Sequence, residues 1–126
     1  MIDHGTFHWN ELNTRDPEKS RKFYADTLGW TFEGMPMGDS GTYWVANAGG
    51  KQVGGVFDMD AMQMPAEIPE HWMSYIAVDD VDARVAKAKA AGASLMRDPF
   101  DVPDVGRIAI LKQPGGAVIG WMTPVP

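Results

Sequence analysis

The sequence predicts an α+β protein built from two tandem βαβββ modules. Three observations carry this. The order strand, acidic cap, helix, glycine stop occurs twice. The punctuation keeps register, with Asp16 and Asp80 64 residues apart and Gly29 and Gly92 63 apart. After each glycine come a short strand, a proline-bearing loop and a hairpin signalled by paired glycines.

The elements follow in order. Thr6 to Asn13 alternates as a strand and stops at Asp16-Pro17, an N-cap with proline at the first helical position. Phe23, Tyr24 and Leu28 supply the apolar side of the helix, and Gly29 is placed to end it in the left-handed conformation. Trp30 to Glu33 is a short strand, Pro36 marks a loop, and Tyr43 to Ala46 turns through Gly49-Gly50 into Gln52 to Val56. The second copy starts with the strand Trp72 to Val78. Asp80 caps a helix whose inner face is Val81, Val85 and Ala88 and whose stop is Gly92. Ser94 to Met96 is the short strand, Pro99 and Pro103 mark the loop, and Ile108 to Leu111 turns through Pro114-Gly115-Gly116 into Val118 to Trp121. The modules thus span about 1–58 and about 71–126 of one domain. Between them the methionine-rich stretch of about 59–70 has no clean period and reads as a linker, either packed on a core edge or lying over a ligand.

Composition narrows the function. With 126 residues, 44% of them hydrophobic, the chain can build one core of ordinary size. Eleven Lys and Arg face seventeen Asp and Glu, so a net charge of −6 repels nucleic acid. No apolar run approaches the roughly 20 residues of a membrane span, and Asp3 stands where a signal peptide would be basic, so a cytoplasmic protein with no membrane partner is expected. The absence of cysteine excludes thiolate chemistry and leaves His4, His8, His71 and the carboxylates as strong metal donors. No dinucleotide fingerprint, phosphate-cradling loop or Ser-His-Asp arrangement is present.

The run from Thr14 through Asp16-Pro17 to Phe23-Tyr24, followed by Leu28-Gly29-Trp30, resembles the glyoxalase/bleomycin-resistance/dioxygenase (vicinal oxygen chelate) superfamily, and the likeness covers nearly the whole chain. It implies curved mixed sheets around a concave cleft that holds a metal or ligand. The metal positions of that family, carried over one by one, fall on Trp9, Met73, Gly54 and Gly120, none of them a competent ligand. No cofactor is therefore expected, and a divalent metal would require shifted ligands such as His8 or Asp58. The resemblance also implies a homodimer, to which open sheet edges lend themselves.

Strand alternation places Trp9, Glu11 and Asn13 on one face, with Met73, Tyr75 and Ala77 on the equivalent face of the second copy. Trp44 and Trp121 are expected there too. The predicted ligand-binding set is Trp9, Glu11, Trp44, Gly54, Met73, Tyr75, Gly120 and Trp121, a mostly aromatic lining suited to a small aromatic or hydrophobic molecule. Glu11 is the candidate acid or base, since a carboxylate among aromatic rings resists ionisation. The alternative to a binding protein is a lyase, isomerase or dioxygenase using Glu11 or a divalent metal.

Overall fold

The computed structural model describes residues 3–125. They form β1 (Phe7–Thr14), α1 (Pro17–Leu28), β2 (Thr31–Pro36), β3 (Thr42–Ala48), β4 (Lys51–Asp58), β5 (His71–Ala77), α2 (Val81–Ala90), β6 (Ser94–Val102), β7 (Gly106–Lys112) and β8 (Val118–Pro124), with a short 3-10 turn at Gly38–Ser40. The predicted βαβββ order therefore occurs twice. Among the described residues no helix is long and apolar enough to cross a membrane.

The caps explain where the helices begin and end. The Asp16 carboxylate accepts the Lys19 N–H at 3.0 Å, Pro17 opens α1, and Gly29 closes it at φ 73°. The Asp80 carboxylate accepts the Ala83 N–H at 3.2 Å. The helix that follows ends one residue earlier than its glycine, with Ala91 as C-cap and the positive φ of 100° falling on Gly92.

The chain divides into two compact units. One is Asn10–Trp72; the other joins the residues up to Trp9 with Met73 onward. In the Asn10–Trp72 unit the strand order is β2-β3-β4-β1, antiparallel except for β1 beside β4, where Glu11 stands next to Gly55. Leu12, Ala46 and Val56 are buried in it. Its hairpin turns on Gly49 and Gly50, both with positive φ, the requirement of a two-residue turn that only glycine meets without strain. The linker belongs to this unit. Met59 is fully buried and its N–H donates to the Thr14 carbonyl at 2.9 Å, so that methionine serves the core. Arg15 fastens the rest, its guanidinium donating to Asp60 (2.7 Å), the Pro65 carbonyl (2.8 Å) and the Ile68 carbonyl (2.9 Å).

In the other unit the order is β5-β8-β7-β6, with β5 parallel to β8 and Tyr75 beside Gly120. Val81, Val85 and Ala88 of α2 pack on Val78, Ala109 and Leu111, with Ile76 and Trp121 alongside. Hydrogen bonds from Gly5 N–H to the Ala77 carbonyl (2.7 Å) and from Ala77 N–H to the Thr6 carbonyl (2.8 Å) attach the N-terminal residues here. Pro99, expected in a loop, lies inside β6. That strand ends the sheet order and carries two register shifts, which is where a residue lacking an N–H can sit in a sheet.

Candidate functional site

Each unit has one sheet face beneath its helix and one face away from it. In the Asn10–Trp72 unit the helix-free face carries Glu11, Asn13, Tyr43, Val45, Gly55 and Phe57, as the pairings Glu11 to Gly55, Asn13 to Phe57 and Val45 to Gly55 require. Glu11 and Tyr43 are half-buried, and Asn13 is 5% exposed. A Cβ built at Gly55 would overlap the phenol of Tyr43, so glycine there makes the berth for that ring.

In the other unit the corresponding face is a small second core. Met73, Tyr75, Ile108 and Met122 are buried, with Trp9, Phe100, Val102 and Ile110 half-buried around them. The same device recurs at its centre, where a Cβ at Gly120 would overlap the Tyr75 ring. Of the predicted set, then, Trp9, Met73, Tyr75 and Gly120 share this face, while Glu11 stands on the helix-free face of the first module.

The structure moves Trp44, Trp121 and Gly54 to the helix side. The Arg21 guanidinium of α1 stacks 3.7 Å from the centroid of the Trp44 ring, which fixes that side chain beneath α1. Trp121 packs with Ile76 and Ala109 in the core under α2. There it lines an apolar recess of about 360 Å³ with Phe7, Ala88, Ala91, Leu111 and Ile119. Gly54 pairs with Ala46, and a Cβ on it would meet the Asn10 carbonyl oxygen at 2.8 Å. The residue equivalent to Gly120 is therefore Gly55, because Glu11 stands beside Gly55 as Tyr75 stands beside Gly120. Sequence reading missed Tyr43 and Gly55; the Gly-Gly pair at 54 and 55 was the available signal, but not which of the two faces the site.

The residues at the family's metal positions do not fit a metal. After correction they are Trp9, Met73, Gly55 and Gly120: an indole whose only polar group is a donor, a soft thioether and two glycines whose side-chain space holds tyrosine rings. Among the described residues no three His, Asp or Glu side chains gather as a metal-binding group. Near the start of α1 a different carboxylate is tuned. Glu70 accepts from the Thr14 hydroxyl and from the Arg15 N–H at 3.0 Å, and these bonds hold it below the usual carboxylate range. Its role there is to hold the end of the linker.

Comparison with known proteins places this architecture. The model of the Glyoxalase/Bleomycin resistance protein/Dioxygenase superfamily matches residues 2–120. The chain belongs to that superfamily. CFP32 of Mycobacterium bovis, provisionally named a glyoxylase, is 42% identical over 122 residues, which are 97% of this chain and 45% of that protein. The anthracycline biosynthesis protein DnrV of Streptomyces peucetius is 29% identical over 86% of this chain and 43% of its own length. The chain thus spans less than half of these relatives. Among solved structures, a Streptomyces coelicolor methylmalonyl-CoA epimerase variant aligns with a TM-score of 0.71 at 16% identity, covering 98% of this chain and all of that one, a likeness of fold.

Proposed function

We propose that this member of the superfamily is a cytoplasmic, metal-independent small-molecule binding protein that holds an aromatic or hydrophobic ligand and works as a homodimer. The observation that carries the reading is the conversion of both last-strand metal positions into glycines that accommodate tyrosine rings, Tyr43 over Gly55 and Tyr75 over Gly120. Where the family offers a metal ligand, this chain offers an aromatic edge. The relative named for anthracycline biosynthesis, a pathway to fused aromatic rings, supports the same ligand class.

Within the first module, Glu11, Asn13 and the Tyr43 hydroxyl are the polar groups that would orient such a ligand. The test is a titration of chelator-treated protein with a hydroxyanthraquinone, followed by the Tyr43→Phe and Glu11→Gln variants. Saturable binding that survives chelation and weakens roughly tenfold on loss of one hydrogen-bonding group is expected. Stoichiometric iron, nickel, manganese or zinc in the purified protein, with binding that vanishes on chelation, would overturn it. An enzymatic version keeps the same residues with Glu11 as acid or base, and predicts that Glu11→Gln retains binding while abolishing turnover.

A second reading rests on the recess beside Trp121. It is lined by no charged side chain, Gln113 being the one polar residue, and its volume lies within the range of small-molecule pockets. Ala91→Phe would fill it from the exposed rim. Loss of anthraquinone binding in that variant, with Tyr43→Phe silent, would assign the ligand to the helix side.

A further inference from the structure

Arg21 of α1 carries a positive charge that no carboxylate answers. Among the described residues, Arg15 is paired with Asp60, Arg84 with Asp79, and Arg107 with Asp82 and Asp101. Arg21 has neither an ion pair nor a hydrogen bond, and its Nε is a buried donor with no partner. Only Nε is enclosed; the two terminal nitrogens reach the surface. Arg97 also lies over a ring, that of Phe100, but it is exposed and solvent satisfies its donors. A buried, unsatisfied donor on a charged group is costly, and its retention calls for a reason such as a ligand.

The surroundings of Arg21 supply that reason. Its guanidinium lies 3.7 Å from the centroid of the Trp44 ring, and a Cβ on Gly34 of β2 would overlap that ring at 2.8 Å, so the missing side chain gives the indole its place. Flat stacking leaves the terminal N–H groups in the guanidinium plane, where they can donate two parallel bonds to a carboxylate. Aromatic rings border this cation. Tyr24 follows Arg21 by one turn of α1 and stacks on Trp30 at 4.9 Å between centroids, and Trp30 meets Phe32 edge-on at 6.4 Å. Phe32 shares the Gly34 face of β2, two residues or about 7 Å away, which closes the circuit back to Trp44. All four rings are half-buried, as is Arg21. The adjacent Lys22 is already engaged by Asp26 at 2.8 Å, so the site offers one unpaired guanidinium and matches one negative charge. We infer that the Arg21–Trp44 stack, with the Tyr24, Trp30 and Phe32 rings beside it, binds an aromatic carboxylate. This site is separate from the helix-free face, because Tyr43 and Trp44 are consecutive on β3 and point to opposite sides of the sheet.

Calorimetric titration of the full chain with 2-naphthoate tests it, with neutral 2-naphthylmethanol, acetate and inorganic phosphate as controls. Wild type should bind naphthoate with a Kd on the order of 0.1–1 mM, and each control roughly tenfold more weakly or worse. The Arg21 Nε–H resonance should shift as naphthoate binds. Arg21→Gln and Arg21→Lys should each weaken binding about tenfold, since neither presents a planar charged fork. Arg21→Met separates recognition from packing: it still covers the indole but lacks the unsatisfied donor, so it should lose naphthoate binding and yet melt no lower than ligand-free wild type. A lower melting temperature with unchanged naphthoate affinity would make Arg21 a packing residue and overturn the site. So would the alcohol, acetate or phosphate binding as tightly as naphthoate, equal affinity in Arg21→Gln, or no saturation by about 10 mM.

Discussion

Two glycines show how a single missing side chain shapes this protein. Gly120 and Gly55 are extended residues in strand interiors, where glycine ordinarily weakens a sheet, yet each is covered by a tyrosine ring from a neighbouring strand. Gly120→Ala should force the buried Tyr75 ring aside and cost about 1–3 kcal/mol, the usual penalty for overpacking. The double variant Gly120→Ala/Tyr75→Ala should cost less than the sum of the singles, because the clash is removed with the ring. Additive denaturation free energies would show that the ring does not depend on the glycine. A charged residue gives a second prediction. Asp79 is held well below the usual carboxylate range, chiefly by the Arg84 guanidinium, which donates to it at 2.8 and 2.9 Å, and further by the Asp80 N–H. A depressed folded-state value means the stabilisation is present above the ordinary carboxylate value near 4 and is lost as the pH falls through the folded one. Since Asp79 is solvent-exposed, the effect is small. The melting temperature of Asp79→Asn should accordingly lie slightly below wild type at pH 7 and converge with it in acid; a gap that widens on acidification would contradict the assignment.

The elements are held less by their own propensities than by a few polar clamps. Arg15 is the clearest, since one side chain ties the interstrand linker to the end of β1 through two carbonyls and Asp60, while Glu70 returns to the Thr14 hydroxyl and the Arg15 N–H. Arg15→Ala should leave the two buried ends of this network, Met59 and Thr14, in place but free the stretch between them. Limited proteolysis should then cut near Pro65–Ile68 many times faster than in wild type, with a modest loss of global stability of about 1–3 kcal/mol for broken bonds to a charged donor. Unchanged cleavage would mean that the linker is fixed by its methionines alone. The helix starts behave in the ordinary way, and Asp16→Ala and Asp80→Ala should each cost about 1 kcal/mol as capped N–H groups lose their acceptors.

Across the whole molecule, the repeat was legible because caps, glycine stops and hairpin turns are local chemistry that recurs in register. The second copy's core was legible for the same reason, Val81, Val85 and Ala88 lying at helical spacing. What failed was phase. The first hairpin turns through two glycines, whereas the second needs the longer turn closed by Gln113 N–H on the Ala117 carbonyl at 2.8 Å. Aligning the copies through their turns therefore slips one residue, choosing Gly54 in place of Gly55 and sending it to the other face. Trp44 and Trp121 were misassigned for a related reason: the face of a hairpin strand is set by its neighbour's register, and their own sequence does not reveal that register. The asymmetry of the helices was equally invisible, since Phe23 and Leu28 look like core positions and are exposed. It makes a last prediction. Because α2 buries Val81, Val85 and Ala88 whereas α1 has no buried residue of its own, local opening of α1 withdraws less apolar helix surface from the core and should need less free energy. At concentrations too low for self-association, amides in the middle of α1 should exchange through local fraying, while those of α2 should exchange only near global unfolding. Val85→Ala should destabilise the fold by about 1–3 kcal/mol and Phe23→Ala by less than about 0.5. Equal protection of the two helices in the monomer would show that the α1 aromatic cluster stabilises the fold as much as the buried face of α2 does.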